Sequence, residues 1–122
     1  MIWRRPDLLG DGQVAFWHGR FVQARDLWEA EGLVARGAER DWIQGLAEIA
    51  AGFLACDEGK GWLGERFLRK GMRHLAGAPD TFGSVDVAQV RGAADLLASA
   101  LRHGQPADPR AVVQLAPTSA TA

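Results

Sequence analysis

Between Ala38 and Asp57 the apolar residues fall at Trp42, Ile43, Leu46, Ile49, Ala50, Phe53 and Leu54. Steps of three and four that add to seven are the period of a helix. A stripe this wide belongs to a helix covered on more than one side. A chain of 122 residues has room for one hydrophobic core, so the remaining segments are read as what covers this central helix.

Those segments carry the same period. A short helix is expected over Leu8 to His18, ended by Gly19, and a second from Phe21 to about Ala35 on Phe21, Ala24, Leu27 and Trp28. Glu58-Gly59-Lys60-Gly61 breaks the central helix, and a fourth runs from Gly61 to about Leu75 with Leu63, Phe67, Leu68, Met72 and Leu75 inward. After Gly77-Ala78-Pro79, either Ser84 or Asp86 offers a cap for a fifth helix over Val85 to Arg102, with Val87, Val90, Ala94, Leu97 and Leu101 inward. The fold class expected is all-α: a single-domain orthogonal bundle of about five helices over residues 1–103. Residues 104–122 form a Pro/Ala-rich flexible tail in this reading, although Asp108-Pro109 can start a short helix there.

Composition agrees and narrows the function classes. Tyr is absent and β-branched residues are sparse, which starves a sheet. The 14 basic and 15 acidic residues leave a net charge of −1, unlike a domain that grips nucleic acid with its whole surface. One cysteine, Cys56, excludes an internal disulfide and a cysteine-based zinc cluster, and it reads as a small core residue. No apolar run approaches the roughly 18 residues of a membrane span, and Met1–Arg5 leads into Pro6-Asp7 and not into the apolar core of a secretory leader. A cytoplasmic location without membrane contact is expected, with no cofactor.

Two patches carry a family resemblance. The first is Phe16-Trp17-His18-Gly19-Arg20-Phe21-Val22-Gln23-Ala24-Arg25-Asp26-Leu27-Trp28-Glu29, the second Trp42-Ile43-Gln44-Gly45-Leu46-Ala47-Glu48-Ile49-Ala50-Ala51-Gly52. Together they resemble the small all-helical proteins of domain of unknown function family 309, over roughly residues 12–102. The resemblance implies two motif helices packed face to face and no firm activity, although a metal-dependent hydrolase has been guessed from that family's His and Glu residues. Trp28, Glu29, Gln44 and Gly45 match its pattern. Its Glu-Ala-His-Glu reads Gln23-Ala24-Arg25-Asp26 here, and an arginine in place of the histidine cannot ligate a metal.

The residues also stand out by themselves. Arg25 and Glu29 are four apart, as are Gln44 and Glu48, so each pair shares a helix face. In an antiparallel pair of helices Arg25 would lie between Glu29 and Glu48 with Gln44 beside them, and Asp26 turned to one side. This cluster of Arg25, Asp26, Glu29, Gln44 and Glu48 reads first as a structural ion network and second as a small polar site with Glu29 or Glu48 as base or cation ligand. A second feature lies between Lys60 and Leu75. There Arg66, Arg69, Lys70 and Arg73 line one helix face beside a single acid, Glu65. That face suits solvent or an acidic partner, and nucleic acid is not the expected ligand. His18, His74 and His103 read as surface or helix-end residues. The leading functional expectation is a non-catalytic binding or interaction module, with a protein partner or a second copy through exposed tryptophans. The alternative is a metal-dependent hydrolase-like enzyme using Glu29 and Glu48.

Overall fold

Three of the turns between helices are closed by the same device. At Gly19 and Gly59 (φ 76° and 81°), as at Gly104, the chain enters the left-handed region open to a residue without Cβ. The amide of the following residue then reaches back to a carbonyl in the last turn: Arg20 donates to Ala15 at 2.9 Å, and Lys60 donates to Ala55 at 2.8 Å. After Gly19 and Gly59 a new helix begins at once, so the chain doubles back on itself in helical pairs.

The computed structural model describes residues 6–115, with the side chain of the last one left aside. Helix α1 spans Leu8–Trp17, α2 Phe21–Gly32, α3 Ala38–Asp57 and α4 Gly61–His74. A hairpin of β1 (Thr81–Phe82) and β2 (Val85–Asp86) follows, then α5 (Val87–Arg102) and α6 (Pro109–Leu115). The two strands are antiparallel, Thr81 opposite Asp86 and Phe82 opposite Val85. The all-α class is what forms, and no described helix is long and apolar enough to cross a membrane.

α3 holds the centre. Ile43, Leu46, Ile49, Ala50 and Phe53 are almost wholly buried, and α2 and α4 pack along opposite edges of the helix. Phe16, Phe21, Trp28 and Phe53 meet ring against ring where α1 and α2 cross it, with Phe16 and Phe53 edge-on at 4.9 Å between centroids. Trp28 is fully buried and its indole N–H donates to the Leu9 carbonyl at 3.1 Å. Trp42 packs edge-on against Phe82 of the hairpin.

The α3–α4 contact is tighter than ordinary helix packing. Gly45 and Gly52 face Gly71 and Gly64 in antiparallel order. A Cβ on Gly71 would stand 2.8 Å from the Gly45 carbonyl oxygen, and one on Gly45 the same distance from that of Gly71. Backbone therefore lies on backbone along two turns of each helix.

The structure departs from the sequence expectation in three places. α2 stops at Gly32, short of Ala35, because Gly32 and the open Leu33 and Val34 give its last turn no apolar face to bury. The residues before α5 form a hairpin, and only Asp86 caps the helix, accepting from the Gln89 amide at 3.0 Å. Ser84 instead donates to Asp7 at 2.6 Å, tying the hairpin to the start of α1. The third departure lies after residue 103, where the short helix that Asp108-Pro109 can start is formed and packed. α6 packs against α1, α3 and α5, and Val113 is buried. Arg110 holds it from outside with a two-pronged bond to Asp57, both distances 3.0 Å. Six helices therefore pack together among the described residues, the five main ones and the short α6. The end of the expected tail (residues 116–122) and Trp3 lie outside those residues.

Candidate functional site

α2 and α4 both lie on α3 and make no extensive contact with each other. Between them a groove of about 620 Å³ opens onto α3. Its floor is one stripe of that helix: Gln44, Ala47, Glu48, Ala51, Leu54, Ala55 and Glu58. These positions step by three and four, so they are the face of α3 that α4 does not take. Arg25, Trp28, Glu29, Gly32 and Leu33 form the α2 wall, and Leu63 and Phe67 the α4 wall, with Arg40 at one end. Three of these seven residues are alanines, Ala47, Ala51 and Ala55, spaced four apart along the floor.

Four residues of the expected cluster, Arg25, Glu29, Gln44 and Glu48, line this one groove, and Asp26 lines a neighbouring hollow with Phe21, Asp57 and Arg110. They do not join into the expected network. The Arg25 guanidinium donates to Asp26 at 3.1 and 3.2 Å and pairs with Glu29 at 3.5 Å, all on its own helix. Asp26, expected to turn aside, is thus its nearest partner. Glu48 pairs across to α4, with His74 Nδ1 at 2.5 Å and with Lys70 Nζ at 3.4 Å. It is the buried charged residue of the core, 9% exposed. The reason is phase: Glu48 sits at the edge of α3 that turns toward α4, next to Gly45 and Gly52 in the sealed contact. Arg25 lies on the far wall and finds carboxylates one residue and one turn along α2.

His74 is the residue that sequence reasoning placed least well. It does lie in the last turn of α4, but its ring is turned in to Glu48. Its partner is 26 residues away, so no spacing announces the pair. Only its phase, one turn beyond Lys70, pointed the same way. His18 and His103 behave as helix-end residues, each ring bonded to a carbonyl four residues back at 2.8 Å.

The basic face of α4 is present but not uniform. Lys70 is engaged by Glu48 and Arg69 by Glu65, whereas Arg66 and Arg73 are exposed and hold no ion pair among the described residues. Trp62, 67% exposed, lies at the start of the same outward face. Burial pushes the Cys56 thiol above its ordinary pKa, which fits a packed side chain rather than a nucleophile. Among the described residues no three of His, Cys, Asp and Glu are grouped so as to hold a metal ion. Comparison of the chain with family models, with curated proteins and with solved structures returns no match in any of the three.

Proposed function

We propose that this chain is a non-catalytic interaction module, and that its groove takes the apolar face of an amphipathic helix from a partner protein. One observation carries the reading. Two helices straddle a third with no extensive contact between them, and the groove they leave has Ala47, Ala51 and Ala55 on its floor and Leu33, Leu63 and Phe67 on its walls. A helix laid in such a groove would complete a four-helix arrangement and cover side chains that water now reaches. The groove's floor runs along α3 from Gln44 to Glu58, which favours an elongated guest over a compact small molecule.

The hydrolase alternative draws less support. Both Glu48 oxygens are engaged by His74 and Lys70, and Glu29 is turned to Arg25. The resemblance to domain of unknown function family 309 is kept as part of the proposal, since Trp28, Glu29 and Gln44, which carry it, line the groove and Gly45 seals the helix pair beside it. A cytoplasmic setting is also proposed, supported by the single unpaired Cys56.

The test uses a synthetic helical peptide with leucines at i, i+3, i+4 and i+7 and uncharged Gln/Ser flanks, followed by fluorescence anisotropy. The full chain should bind it, and Ala51→Trp, which fills the floor, should weaken binding at least tenfold with an unchanged melting temperature. Equal binding by Ala51→Trp would remove the groove from consideration.

A further inference from the structure

We infer that the helix accepted by the groove is acidic, with its carboxylates lying along α4. This rests on the groove reading above and adds the chemistry of the partner. The α4 segment from Lys60 to Leu75 holds five basic residues against one acid, Glu65. At about 100° per residue, Arg66 and Lys70 stand one step outward from Leu63 and Phe67 on the same side of α4, and Arg69 and Arg73 follow further round. The apolar wall thus passes directly into a basic rim. Internal pairing leaves charge in surplus on that rim, because among the described residues neither Arg66 nor Arg73 holds an ion pair.

The opposite wall has the other sign. On α2, Arg25 is shared between Asp26 and Glu29, and with Glu31 the helix holds three acids against this one base. A partner helix with acids on one flank is therefore drawn to α4 and repelled from α2, which fixes its orientation as well as its position. A basic helix would meet the wrong rim on the longer, more strongly charged side. The floor also sets the partner's apolar stripe. Ala47, Ala51 and Ala55 repeat every four residues and leave space for large side chains. The span from Gln44 to Glu58 is about 21 Å, or roughly four turns of a docked helix.

Two 16-residue synthetic peptides with the same leucine stripe test this, one with Glu on its flanks and one with Lys. Each is titrated against the full chain, Ala51→Trp, and Arg66→Glu combined with Arg73→Glu. These two exposed arginines hold no ion pair among the described residues, so reversing them leaves the described helix contacts in place. At low salt the acidic peptide should bind roughly tenfold more tightly than the basic one, from a few partly screened charge pairs. The double reversal should invert that preference, and Ala51→Trp should weaken both peptides. Equal binding of the two peptides by the unaltered chain overturns the charge inference while leaving the groove reading intact. Acidic-peptide binding lost in the double reversal but untouched by Ala51→Trp overturns the groove reading and the inference built on it. Binding of a single-stranded oligothymidylate that the double reversal abolishes, with no binding of the acidic peptide, also overturns the inference and assigns the basic face to nucleic acid.

Discussion

α3 shows two faces to its neighbours, and both are made of small residues. On one, Gly45 and Gly52 meet Gly71 and Gly64 so closely that a single methyl group does not fit. On the other, Ala47, Ala51 and Ala55 floor a groove open to water. Small side chains thus do opposite things three residues apart. Where a second helix supplies glycines in antiparallel register, smallness lets two backbones touch. Where α2 and α4 make no extensive contact with each other, the same smallness leaves a space. The difference lies in the partner and not in the stripe.

The comparison can be broken most forcefully on the sealed face. Gly71→Val places side-chain atoms against the Gly45 carbonyl and Ile49, both 2.8 Å from the first added carbon. Stability should fall by about 3 kcal/mol or more, read from denaturant midpoints, because neither backbone can retreat without moving the helix. Glu48→Ala should rank next, at about 2 kcal/mol. It removes a buried carboxylate and strands His74 and Lys70, but both of those retain some contact with water. Asp7→Ala should cost less, about 0.5–1 kcal/mol at neutral pH, as the loss of a helix cap that touches neither face of α3. The Asp7 carboxyl is held below its ordinary pKa by the Ser84 hydroxyl and the Gly10 amide. Its contribution is therefore present above the unfolded value near pH 4 and disappears as pH falls through the lower folded value. The variant and the unaltered chain should converge in strongly acid solution. Ala51→Leu on the open face should change stability least, within about 0.5 kcal/mol, since the added atoms enter space. A loss on that face as large as that of Gly71→Val would abolish the distinction.

Much of this architecture was legible because helix α3 is so strongly periodic. Its limits, Ala38 and Asp57, follow from the turn residues, and the inward face of α5 follows from the spacing of Val87, Val90, Ala94 and Leu97. The α3–α4 seal was also written in the chain, as Gly45 and Gly52 seven apart and Gly64 and Gly71 seven apart, but glycines in a helix read first as weak points. Their meaning depends on facing each other. The polar cluster was half legible for a similar reason. Spacing places Arg25 with Glu29 and Gln44 with Glu48, but it does not say which neighbouring helix each side faces. Glu48 turned to α4, where His74 was waiting in a segment read separately. α6 was underrated because a seven-residue helix that opens on Pro109 has little pattern of its own. It is fixed by what lies beneath it, through Val113 in the core and Arg110 on Asp57.

The glycine seal has a mechanical consequence for anything that enters the groove. Contacts between backbones cannot be traded for other rotamers, so the α4 wall stands as a fixed jaw. The α2 wall ends at Gly32 with Leu33 81% exposed, and its continuation reaches α3 through Gly37 in a left-handed turn. Adjustment to a wider or narrower guest must therefore come from this second jaw. Amide exchange should be fast in the last turn of α2 and slow between Gly64 and Gly71, with guest binding protecting the former far more than the latter.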